Sequence, residues 1–118
     1  GLIGYGNIGA QLSVLAESLG MKVVYYDKEE KLALGNATKL NSLTTLLEIS
    51  DIVSLHVDGR ESNTNMISDK EFARMKQGVI FLNLSRGHVV DIDALKRNIE
   101  SGKIAGCGVD VFPYEPVS

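Results

Sequence analysis

An α/β fold with a doubly wound parallel sheet, helices on both faces, is the architecture this sequence predicts, and three observations predict it. Strand-like runs alternate with helix-spaced runs along the chain. "GVIFLNL", from Gly78 to Leu84, is almost uniformly apolar, the pattern of a parallel strand buried on both faces. Three glycines, Gly4, Gly6 and Gly9, stand between an apolar run and a helical stretch, where such a sheet turns from strand into helix.

Each element has its own signal. Leu2 to Tyr5 reads as the tail of a buried strand. Ile8, Leu12, Leu15, Ala16 and Leu19 recur at helical spacing, and Gly20 stops that helix. "KVVYYD", Lys22 to Asp27, is β-branched and aromatic, hence a strand. "GNATKL" allows a short edge strand at about 38–40. "SLTTLLEIS" predicts a brief helix with Ser42 as its cap, and "DIVSLHV" the next strand. From Ser68 to Met75, Phe72 and Met75 share one helical face. Asp91 can cap a helix through Ala94, Leu95 and Ile99 that Gly102 ends. "IAGCGVDVF" is a final strand, with small residues where a neighbour approaches closely.

Composition narrows the function. The 118 residues, 44% hydrophobic and 23% charged, fit one soluble globular domain. A net charge of −3 with no basic face argues against a nucleic-acid partner. The apolar runs fall far short of the roughly 20 residues that cross a bilayer, so no membrane partner is expected. The opening residues show no basic, apolar leader pattern, so secretion is not expected. The single Cys107 excludes an internal disulfide, and with two scattered histidines it gives no metal-ligand spacing. A metal-free protein of the reducing cytoplasm is the expectation.

The glycines carry the functional argument through backbone. Gly4 suits a tight strand-to-helix turn, Gly6 lets main-chain N–H groups approach a pyrophosphate, and Gly9 permits close helix–strand packing. The helix N-terminus then offers orphan donors and the positive end of its dipole. Asp27 closes the second strand about 20 residues on, where a carboxylate accepts from ribose hydroxyls. This pairing of Rossmann type points to a nucleotide cofactor. The carboxylate would repel a 2′-phosphate, which favours NAD over NADP. At this point an S-adenosylmethionine-dependent methyltransferase stays open, because it pairs a similar turn with a similar acid.

The second half of the chain separates the two. "LNLSRGHVVD", Leu82 to Asp91, and "GCGVDVFPYEP", Gly106 to Pro116, together with "GYGNIG", resemble the D-isomer-specific 2-hydroxyacid dehydrogenases. "KLALGNATKL" and "SDIVSLHV" are similar to that family's phosphoglycerate branch. The resemblance implies NAD as cofactor, a small-molecule substrate with 3-phosphoglycerate foremost, and a homo-oligomeric full-length protein. It implies that Arg86 pairs with the substrate carboxylate and that Glu115 hydrogen-bonds a catalytic histidine. It places the main chain of Asn7 and Ile8 at the pyrophosphate. Leu84, Ser85 and Arg86 fall along the nicotinamide ribose, and Asp110 near the carboxamide. His56 is then a wall of the cofactor cleft, His88 a solvated loop residue, and Cys107 a packing residue.

Departures from that pattern bear on the site. Asp58 stands where the family usually has Pro, altering the loop beside the adenine, and Leu84 replaces a small residue. The family's general acid–base histidine would follow the Glu-Pro by some twenty residues. Residues 1–118 are therefore expected to be an NAD-binding domain fragment cut at both ends, inactive without its substrate domain. Other D-2-hydroxyacid dehydrogenases, acting on glycerate, lactate or formate, and an NADH-sensing scaffold on the same fold are the alternatives.

Overall fold

The computed structural model describes residues 1–28, 35–58 and 61–109. Its strands are β1 (Leu2–Ile3), β2 (Val24–Tyr26), β3 (Thr38–Lys39), β4 (Ile52–Leu55), β5 (Val79–Asn83) and β6 (Ile104–Val109). They form one sheet in the order β3-β2-β1-β4-β5-β6, and every neighbouring pair is parallel. The chain winds outward from β1 in one direction and then, from β4, in the other. The order therefore reverses between β1 and β4, and a crevice opens there at the carboxyl ends of the strands.

Helices α1 (Asn7–Ser18), α2 (Leu43–Ile49), α3 (Asp69–Arg74) and α4 (Ile92–Glu100) supply the crossovers. The two sides of the sheet are unequally covered. Leu46 and Leu47 of α2, Phe72 of α3, and Ala94 and Leu95 of α4 pack on Ile3, Val53, Leu55 and Phe81 in the main core. The Phe72 and Phe81 rings meet edge to face at 5.3 Å. On the opposite side α1 lays Ala10, Leu12 and Ala16 over Leu2, Tyr5 and Tyr25. The predicted helices on both faces are present.

Local chemistry explains the boundaries. The Ser42 hydroxyl accepts from Thr45 N at 3.3 Å and starts α2. Asp91 accepts from Asp93 N and Ala94 N at 3.1 and 3.2 Å and starts α4, both as the sequence predicts. Before α3, the Glu71 carboxylate accepts from Ser68 N at 3.0 Å and from Ser68 Oγ at 3.1 Å.

Three expectations need correction. "GVIFLNL" is not buried on both faces: Val79, Phe81 and Asn83 are buried, whereas Ile80 is 40% exposed and Leu84 38%. The reason is that α1 covers β1 and β2 but does not extend over β5. Cys107 lies exposed on the edge strand β6 instead of packed inside. His88 is half-buried in a 3₁₀ turn, Gly87–Val89, and its carbonyl accepts from Asn65 N at 2.9 Å. The small residues of β6 do serve close approach. A methyl group on Gly108 would stand 2.9 Å from Leu82 Cδ2.

Candidate nucleotide site at the sheet crevice

The glycine turn is fixed by main-chain contacts. Gly4 has φ +90°, in the left-handed region, and its N–H donates to the Tyr26 carbonyl at 2.8 Å. A β-carbon there would lie 2.4 Å from the carbonyl oxygen of His56. One on Gly9 would lie 2.7 Å from the carbonyl oxygen of Gly4, so this glycine permits α1 to pack against the turn. Gly6 differs from both. It is exposed, and a β-carbon there would meet nothing within 4 Å.

Gly6 is also the N-cap of α1, with no side chain bonded across the helix start and no acidic residue in the first turn. The first-turn N–H groups of a helix, here at Asn7 and Ile8, have no acceptor within the helix itself. Open space in front of an uncapped, twelve-residue helix fits a diphosphate.

The turn opens on a cleft of about 250 Å³ whose walls include Gly4, Gly6, Asp27, Lys28, His56, Asp58 and Asn63. The structure thus brings Gly4, Gly6 and Asp27 together, as the sequence predicts. Asp27 has a structural task there. Its Oδ2 accepts from Tyr5 N at 2.7 Å and ties the end of β2 to the glycine turn. The Tyr5 ring stacks on Tyr25 with centroids 4.0 Å apart, which anchors the loop from below. The sequence pattern places Tyr5 in the strand, whereas β1 ends at Ile3 and Tyr5 sits in the turn between two glycines.

His56 lines the cleft as expected of a wall residue. Its Nε2 lies 2.7 Å from Ser54 Oγ, and burial pushes its pKa below the ordinary value, which leaves the ring neutral near pH 7. Across the cleft, the buried Asn63 donates to the Asp58 carbonyl at 3.0 Å and to its carboxylate at 3.2 Å. Asn63 Oδ1 accepts from Lys28 Nζ at 3.4 Å. No sequence signal marked Asn63 or Lys28, because they meet only through the fold.

Leu84, Ser85 and Arg86 do not line this cleft; they follow β5, one strand further on. Ser85 is buried, and its Oγ accepts from Val57 N at 2.8 Å, so it joins that strand end to the cleft wall. Its N–H donates to Asn83 Oδ1 at 2.9 Å. Leu84 N donates to the Leu55 carbonyl at 3.0 Å, with the side chain exposed. Arg86 is exposed and begins the 3₁₀ turn, its carbonyl accepting from Val89 N at 3.1 Å. Asp110 and Glu115 lie outside the described residues.

A larger apolar hollow of about 550 Å³ lies on the α1 side, lined chiefly by aliphatic side chains such as Leu12, Leu15 and Leu19. It lies toward the amino ends of β1, β2 and β4, not at the crevice by their carboxyl ends. Among the described residues, no three His, Cys, Asp or Glu side chains come together to hold a metal. No described helix is long and apolar enough to cross a membrane.

Known proteins are similar to this chain in sequence and fold. The family model for the D-isomer specific 2-hydroxyacid dehydrogenase, NAD binding domain, matches residues 1–118. A D-3-phosphoglycerate dehydrogenase from Haemophilus influenzae is 53% identical over all 118 residues, and one from Escherichia coli 54%. The chain spans 29% of the length of each. Among solved structures, a D-lactate dehydrogenase from Treponema pallidum superposes with a TM-score of 0.91 at 35% identity, covering 97% of this chain and 34% of that one. An NAD-complexed D-isomer specific 2-hydroxyacid dehydrogenase from Lactobacillus delbrueckii gives 0.89 at 36%, covering 94% and 34%. Matched from its first residue to its last, the chain belongs to the NAD binding domain family of the D-isomer specific 2-hydroxyacid dehydrogenases.

Proposed function

We propose that this chain is the NAD(H)-holding domain of a D-3-phosphoglycerate dehydrogenase, an enzyme that oxidises 3-phospho-D-glycerate to 3-phosphohydroxypyruvate. The observation that carries this reading is the identity of more than half, along the whole chain, with enzymes of that name. The convergence of Gly4, Gly6 and Asp27 on one cleft at the sheet's crevice supports the cofactor part.

In this reading Asn7 and Ile8 N–H groups and the Gly6 turn hold the pyrophosphate, and Asp27 accepts from the adenosine ribose. Leu84, Ser85, Arg86 and Asp110 flank the nicotinamide half. Bound NAD supplies the acceptor for the hydride that leaves the substrate's hydroxyl-bearing carbon. Arg86 pairs its planar guanidinium with the substrate carboxylate and orients that carbon. Glu115 holds the imidazole that takes the hydroxyl proton, a histidine outside these 118 residues. Neither histidine of this chain suits that task. His56 is committed to Ser54 at 2.7 Å in the cleft wall, and His88 lies half-buried in its turn. The complete enzyme is a cytoplasmic homo-oligomer in this reading.

The test is an NADH absorbance assay on protein carrying the full reading frame, with 3-phosphohydroxypyruvate, pyruvate and glyoxylate as substrates. The phosphorylated keto acid should be reduced far better than the other two, and Arg86→Lys should impair turnover. A preference for pyruvate would move the protein to the lactate-type branch that its structural relatives represent.

A further inference from the structure

Asp27 is not alone in setting the charge of its cleft. Lys28 follows it directly and lines the same space, with Asp58 and Asn63 opposite. Asn63 is 5% exposed, and its amino group is committed to Asp58 through two hydrogen bonds. That commitment turns Oδ1 toward Lys28, which it meets at 3.4 Å. An exposed lysine is ordinarily a mobile charge that loses rotamer entropy when held in one place. Here a buried, oriented carboxamide gives the ammonium a fixed acceptor at the cleft.

The position matters because of what distinguishes the two nicotinamide dinucleotides. The acid at the end of the second strand meets the ribose hydroxyls, and a phosphate on the 2′ oxygen would face that acid. A cation beside it is the feature by which such a site accommodates the phosphate. The cleft presents the carboxylates of Asp27 and Asp58 and the ammonium of Lys28. The carboxylates favour the unphosphorylated dinucleotide, and Lys28 works against them.

We propose that Lys28, tethered by Asn63 beside Asp27, is a specificity-determining residue that narrows this site's preference for NADH over NADPH. The proposal rests on the NAD(H)-binding reading above and adds a second determinant to it. The contribution is that of an exposed ion pair, so the change is modest.

Calorimetric titration of the purified protein with NADH and with NADPH tests it, using the unaltered chain, Lys28→Met and Lys28→Arg. Lys28→Met should weaken NADPH about two- to fivefold relative to NADH, the range an exposed pair supplies. Lys28→Arg, which keeps the charge, should hold the original ratio. An unchanged NADPH-to-NADH ratio in Lys28→Met overturns the proposal while leaving NAD(H) binding intact. Failure of the unaltered protein to bind either dinucleotide overturns the binding reading itself.

Discussion

Gly6 and Gly9 lie three positions apart, yet the same substitution should act on them through different properties. At Gly9 an added methyl group would press on the Gly4 carbonyl, which is backbone and cannot step aside. Gly9→Ala should therefore lower stability by about 1–3 kcal/mol, the range for forced overpacking, and thermal melts would register it. At Gly6 the methyl group would enter open space, so Gly6→Ala should melt near the unaltered protein. Its loss should appear in NADH titration, because the methyl group stands where the pyrophosphate is proposed to lie. A Gly6→Ala protein that bound NADH normally would remove the pyrophosphate from this turn. The turn at Gly4 and the close packing at Gly9 were legible in the spacing of the glycines. The Lys28–Asn63–Asp58 bridge was not, since Lys28 and Asn63 are 35 residues apart and no local pattern relates them.

Among the helices, α4 shows most clearly how one capping residue holds an element to the core. Asp91 satisfies two first-turn N–H groups, and the helix it starts delivers Ala94 and Leu95 to the main core. Asp91→Ala should cost about 1 kcal/mol, and Asp91→Asn, which keeps an acceptor oxygen, should recover most of it in a denaturation midpoint. Equal losses in the two variants would show that charge at the helix start matters more than the cap. Helices were legible because caps, stop glycines and apolar spacing are local signals. The limits of α1 and α4 fall within a residue or two of those expected. The exposed face of β5 was not legible: an apolar run records what a strand can bury, and what covers it depends on how far α1 reaches. Cys107 misled for a related reason. A small residue in a strand fits a crowded interior and an open sheet edge equally well.

For the whole molecule, the pH dependence of stability should carry the mark of His56. Burial lowers its pKa below the ordinary 6.5, so the unfolded chain takes up a proton before the folded one does. Its contribution is complete above about pH 6.5 and declines as the pH falls from there toward the lowered folded value. Melts between pH 7.5 and about 5 should show that decline, and His56→Gln should make it shallower. Asp69, whose carboxylate Arg97 holds below its ordinary 3.8, acts only in the more acidic range. A slope in the near-neutral window untouched by His56→Gln would assign it to another group. The two-residue strand at the centre of the sheet has a consequence of another kind, in the order of assembly. Leu2 pairs with Tyr25 on one side and Ser54 on the other, and the Gly4 turn rests against the His56 carbonyl. On a growing chain Leu2 and Ile3 emerge well before residues 52–55 arrive to flank them, and contacts so distant in sequence form slowly. The glycine turn, though it stands at the start of this stretch, should therefore be a late product of folding, shaped only when the strand after α2 has docked.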